Sequence, residues 1–142
     1  MERLLFRYAV DTLMILFAER YRDARPGLIA VLHTWGRSMA LHPHLHMIVT
    51  RGGGDAGGRW REPKRNHKAV LPAKKVSALF RRTLLAAVRK GLESGNLALP
   101  KGCDAAAMGR LIDAARQKRW SVFIGHAGTQ LHTIVNYLGR YV

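Results

Sequence analysis

The chain has 142 residues, 48% of them hydrophobic, with 24 Lys and Arg against 9 Asp and Glu and a formal charge of +15. That apolar share excludes a disordered polyelectrolyte, and the length suffices for one domain, residues 1–142, with a core. The charge points to a polyanionic partner, most simply nucleic acid; because the basic residues are spread along the chain, it points away from a membrane surface.

Leu5, Ala9, Leu13, Leu16 and Phe17 fall at helical spacing and predict a helix from Glu2 to about Arg22. Arg3, Arg7, Asp11 and Glu19 interrupt it, and its longest uncharged run, Thr12 to Ala18, is far short of the ~20 residues of a membrane span. No small-residue cleavage pattern follows, and the lone cysteine, Cys103, excludes an intrachain disulfide and a cysteine-built zinc site. A cytoplasmic protein is expected.

Arg25-Pro26-Gly27 breaks the helix, and Leu28 to Trp35 reads as a buried strand stopped by Gly36. A second strand is expected to start at Pro43, leaving His42 in the turn, and to run through His44-Leu45-His46 to Thr50. A strand sends residues i and i+2 to one face, so His44 and His46 present two imidazoles side by side. Neutral imidazole is a good metal ligand. If the two strands pair antiparallel about a connection centred near Met39-Ala40, His33 falls opposite His46 and Trp35 opposite His44, making His33 a third imidazole on that face.

Arg51 to Gly58 is glycine-rich, but lacks the Lys-Ser/Thr ending and following helix of a phosphate-binding loop; a flexible hairpin connection is expected. Arg59-Trp60 and Ala69-Val70-Leu71 read as short strands around the basic run Lys64-Arg65-Asn66-His67-Lys68. Val76, Leu79, Phe80, Leu84, Ala87 and Val88 predict a helix from Lys74 to Leu92, with Lys75, Arg81, Arg82, Arg89 and Lys90 on its other side, either solvated or tracking phosphates. Asp104 is placed to cap a helix from Ala105 to Lys118, and Trp120 to Ile124 reads as a strand.

The last predicted helix, Thr129 to Val142, carries the apolar stripe Leu131, Ile134, Val135, Leu138 and Val142. Tyr137 and Tyr141 are four apart and stack beside that stripe. Gln130 shares their flank, whereas His132 lies about 140° from Tyr137 at 100° per residue. A tyrosine can attack a phosphodiester and hold the strand as a phosphotyrosine. That reaction calls for a Lewis acid at the scissile phosphate and a surface that grips the backbone.

The blocks Leu32-His33-Thr34-Trp35-Gly36-Arg37, His42-Pro43-His44-Leu45-His46 and Asn136-Tyr137-Leu138-Gly139-Arg140-Tyr141 together resemble the HUH endonuclease superfamily, and within it the two-tyrosine rolling-circle transposases of insertion sequences. The resemblance covers most of the chain. It implies an α+β fold, a five-stranded antiparallel sheet with flanking helices in an RRM- or palm-like architecture. It implies a Mg²⁺- or Mn²⁺-dependent nick of single-stranded DNA, at transposon ends and in target DNA, through a 5′-phosphotyrosine, by a protein associated with the nucleoid while on DNA. His44 and His46 would then be metal ligands, with His33, or in reserve Gln130, as the third. Tyr137 and Tyr141 would be nucleophiles acting on two strands in turn. Arg37, Arg51, Lys64, Arg65, Lys68 and Arg140 are the expected DNA contacts. Members of that family usually begin with a cysteine-rich zinc-binding segment and continue past the second tyrosine. The chain thus reads as a catalytic core, with Tyr137 better held than Tyr141 and activity weak or absent.

Two other readings compete. A basic nucleic-acid-binding module without catalysis would use Trp35, Trp60 and Trp120 as stacking platforms, although each is expected to serve a core or core edge. A His-x-His metallohydrolase typically needs an Asp two residues further on, and that place is Ile48.

Overall fold

Seven elements follow one another: α1 (Glu2–Tyr21), β1 (Arg25–Trp35), β2 (Leu41–Gly54), β3 (Trp60–Arg61), α2 (Ala73–Glu93), α3 (Ala105–Gln117) and α4 (Leu131–Gly139). The structure, a computed structural model, describes residues 2–21, 24–35, 41–62, 70–125 and 131–139. The class is α+β, helices with an antiparallel sheet of order β1-β2-β3. Among the described residues the sheet has three strands where five were expected. The chain divides into two compact units, Met1–Leu13 with Pro72–Phe123, and Met14–Leu71 with Ile124–Val142.

The first unit is helical. Leu84 and Val88 of α2 and Ile112 of α3 are buried together, and Leu4, Leu5, Tyr8, Phe80, Met108 and Trp120 pack around them. These are the apolar positions that the helical spacing selected. Asp104 caps α3 as expected, its Oδ1 accepting from the Ala107 amide at 2.6 Å, a bond of the kind worth about 1 kcal/mol. The strand expected from Trp120 to Ile124 is not formed. Side chains, not a neighbouring strand, engage this segment: the Trp120 carbonyl accepts from Ser77 Oγ at 2.7 Å. The Trp120 indole N–H donates to the Ala115 carbonyl at 3.0 Å, and its ring meets Phe80 edge-on at 5.6 Å. Phe123, 95% exposed, packs on nothing that would favour a strand. The basic side of α2 is partly tied down: Arg81 donates to the Lys118 carbonyl at 2.7 Å and Arg89 to Asp113 at 2.8 Å.

In the second unit Phe17, Tyr21 and Ala24 form a buried cluster with Val70 against it. Tyr21 Oη donates to the Val70 carbonyl at 2.8 Å. Of the strand expected at Ala69-Val70-Leu71, Val70 and Leu71 are not in a strand and Ala69 lies outside the described residues. β1 and β2 pair over most of their length. β2 reaches further than expected at both ends. It starts at Leu41, so His42 and Pro43 belong to the strand; both stand opposite Thr34, where a bulge leaves Pro43 no ladder bond to make. At its other end the glycines expected in a flexible connection, Gly52, Gly53 and Gly54, are strand, and the turn is confined to Asp55–Gly58. Gly53 pairs with both Pro26 of β1 and Arg61 of β3, and it lies so close to the Arg25 backbone that no Cβ fits. A second bulge at Gly27 is stitched by Thr50, whose Oγ1 accepts from the Gly27 amide at 3.0 Å.

Candidate metal centre

The β1–β2 register sets the centre. His33 stands opposite His44, and Val31 opposite His46. This differs by two residues from the expected pairing of His33 with His46, and Leu41, not His44, is Trp35's partner. A shift of two preserves the face, because side chains alternate with a period of two. His33, His44 and His46 therefore gather as expected. His33 lies 5.2 Å from His44 and 4.9 Å from His46 between ring centroids, and His44 lies 4.9 Å from His46.

All three rings are half-buried, and one nitrogen from each lies within 4.8 Å of the others. Nitrogens bound at ~2.1 Å to one ion are at most ~4.2 Å apart, so modest ring rotations suffice to close the group on a cation. The chemistry of the donor set agrees: three nitrogens on paired strands, able to offer lone pairs while neutral. Two features keep lone pairs available. His44 Nδ1 lies 2.7 Å from the His42 carbonyl, which can only accept, so Nδ1 carries the proton and Nε2 is the free lone pair. Burial, and then the charge that His44 and His33 would carry, hold the His46 imidazole below its ordinary pKa. This favours the neutral, lone-pair-bearing form of His46.

His42 is the residue whose part sequence reasoning missed. Its alternation with His44 and His46 was the available signal; its ring lies 5.1 Å from that of His44, and its carbonyl orients that ring.

The other expected site residues are distributed as follows. Tyr137 is on α4, whose described span begins at Leu131; its phenol lies outside the described residues, as do Tyr141, Gln130, Arg37, Lys64, Arg65, Lys68 and Arg140. On α4, Ile134 is half-buried and Val135 is 56% exposed, so the expected apolar stripe is not uniformly covered. Arg51 is on β2 and exposed.

Beyond the histidines, β2 turns back through a hairpin organised by Asp55. Its Oδ1 accepts from the Gly57 and Arg59 amides, both at 2.9 Å, and its Oδ2 pairs with Arg61 at 2.8 Å and Arg59 at 3.4 Å. The Arg59 amide first, and then the Arg61 and Arg59 guanidinium groups, hold this carboxyl below the usual carboxylate pKa. Of these residues the sequence singled out Arg59, in a short strand expected at Arg59-Trp60; the strand formed is Trp60–Arg61. No described helix is long and apolar enough to cross a membrane.

Residues 27–142 match the family described as "Putative transposase". The chain is 35% identical over 144 residues to "Putative transposase y4qJ" of Sinorhizobium fredii (strain NBRC 101917 / NGR234), a match covering 97% of this chain and 36% of that protein. It is also 35% identical over 143 residues to the "Transposase for insertion sequence element IS801" of Pseudomonas savastanoi pv. phaseolicola, covering 97% of this chain and 32% of the relative. The chain thus spans about a third of the length of these relatives. No solved structure matches it.

Proposed function

Since the chain belongs to this transposase family, we propose that it is the DNA-nicking and strand-transfer centre of a rolling-circle-type transposase acting on single-stranded DNA. The observation that carries the reading is the gathering of His33, His44 and His46 on one face of the β1–β2 ladder. These three imidazoles would hold the divalent cation, Mn²⁺ or Mg²⁺. An all-nitrogen set favours Mn²⁺, because Mg²⁺ prefers oxygen donors. When bound, the cation supplies Lewis-acid polarisation of the scissile phosphate.

The chain's own groups do the rest. The Tyr137 hydroxyl loses its proton and attacks phosphorus; the P–O3′ bond breaks, and the 3′ oxygen takes up a proton. The products are a 5′-phosphotyrosine and a free 3′-hydroxyl, which can later attack the phosphotyrosine and restore a diester. Tyr141 would serve a second strand in turn. Arg51, with Arg37, Lys64, Arg65, Lys68 and Arg140, would neutralise the backbone, in keeping with the +15 charge.

The test is incubation with labelled single-stranded DNA and Mn²⁺, followed by denaturing electrophoresis. A protein–DNA band that survives denaturation and is lost in Tyr137→Phe and His44→Ala is expected. Metal-independent binding with no covalent band would instead mark a basic nucleic-acid-binding module.

A further inference from the structure

The hairpin joining β2 to β3 exposes a tryptophan in a fixed setting. Trp60 is 56% exposed, although it pairs with Gly54 in the sheet. The indole occupies the space above Gly52: a Cβ there would lie 2.6 Å from Trp60 Nε1 and 2.7 Å from its Cε2. The ring thus covers a bare glycine of β2, a known role for an aromatic beside a strand glycine. The ring edge is held as well, since Nε1–H donates to Glu62 Oε1 at 2.9 Å. The indole is thus held at Gly52 and Glu62 while the residue stays 56% exposed.

The surrounding charges suit a polyanion. The Arg59 side chain is 74% exposed and belongs to the residue next to Trp60 in the chain. Of the two acids in this hairpin, Asp55 is enclosed by the amides and guanidinium groups it binds, and Glu62 is engaged by the indole. An exposed aromatic ring on a cationic protein surface is the kind of platform on which proteins hold unpaired bases, through stacking plus backbone neutralisation. A duplex offers no free base face to such a ring.

We propose that Trp60 is a stacking platform for an unpaired base of single-stranded DNA, with Arg59 neutralising the adjoining backbone. This rests on the reading of the chain as acting on single strands, and it adds a residue that grips the strand away from the reacting phosphate.

The test is binding of fluorescein-labelled oligo(dT) by fluorescence anisotropy, with chelator present so that no cleavage intervenes. Trp60→Leu keeps apolar cover over Gly52 but removes the π-face. It is expected to weaken oligo(dT) binding about five- to 150-fold, the equivalent of ~1–3 kcal/mol for one stacked base. Trp60→Phe, which keeps a ring, is expected to stay close to wild type. An abasic strand of the same length should bind wild type and Trp60→Leu equally. Unchanged oligo(dT) affinity in Trp60→Leu overturns the inference alone, as does an equal loss on the abasic strand. A wild-type protein that fails to bind oligo(dT) at all overturns the single-strand reading, and this inference with it.

Discussion

His33 faces His44 across the β1–β2 ladder, with their rings 5.2 Å apart and nearly perpendicular at 82°. A donor from the neighbouring strand turns a two-histidine motif into a three-nitrogen centre. Removing it should cost at least as much as losing an outer partner of a ligand, about 10–100-fold in metal affinity. Calorimetric titration of Mn²⁺ or Co²⁺ into His33→Ala should show that loss. His42→Ala should leave affinity nearly unchanged, because the His42 atom that orients His44 is its backbone carbonyl. Equal effects from the two substitutions would sink the assignment of His33.

The depressed pKa of His46 gives the metal-free protein a definite pH response. Its folded-state pKa lies below the ordinary 6.5, mainly through burial. Between those two values the unfolded chain binds more protons than the folded one. The contribution to stability is therefore fully present above 6.5 and is lost as pH falls through the folded value. Thermal melts in chelator from about pH 8 to about pH 5, spanning the imidazole range, should show a declining Tm that is flatter in His46→Gln. An identical slope in the variant would mean that other groups carry the effect.

The helices and the histidine face were legible because each rests on a strong period. The spacing of Val76, Leu84 and Val88 marked the buried side of α2. The alternation of His44 and His46 kept them on one face even though the β1–β2 register differs by two residues from the one expected. What escaped depended on contacts distant in sequence. Glycine at 52–54 carries the signature of a loop, and only the closeness of the Arg25 backbone and the Trp60 ring makes it strand. Trp120 to Ile124 is rich in strand-forming residues, but Ser77 takes the Trp120 carbonyl and no ladder forms. Trp60 and Trp120 look alike as residues; one is exposed, while the other packs with Phe80 against the Leu84–Ile112 cluster.

Asp55 should govern the order of the hairpin that carries Trp60. Its carboxylate accepts the Gly57 and Arg59 amides and pairs with Arg61. Asp55→Ala should speed hydrogen exchange at those two amides while leaving α2 and α3 protected, since local opening need not involve the whole fold. The wild-type protein should do the same in acid. Because the Asp55 pKa is held below 3.8, its contribution is present above that value and disappears as pH falls through the folded one. Exchange at Gly57 and Arg59 that ignores both changes would show that the turn is held by its backbone bonds alone.

Gly53 and Gly54 are adjacent strand glycines with opposite expectations. A Cβ on Gly53 would fall 2.5 Å from the Arg25 carbonyl carbon and 2.9 Å from Pro26 N, both backbone atoms of the paired strand. Backbone cannot swing aside as a flexible side chain can, so Gly53→Ala must separate β1 from β2, and overpacking of this kind costs roughly 1–3 kcal/mol. A Cβ on Gly54 meets nothing within 4 Å. There the main effect of alanine is a less flexible unfolded chain, a gain of up to about 1 kcal/mol. Urea denaturation of the two variants should therefore move the midpoint in opposite directions, or leave it in place for Gly54→Ala. The same ladder sets His33 opposite His44, so Gly53→Ala should also weaken Mn²⁺ binding and Gly54→Ala should not. If Gly53→Ala keeps both its midpoint and its metal affinity, the close approach of β2 to Arg25 does not hold the histidine strands in register.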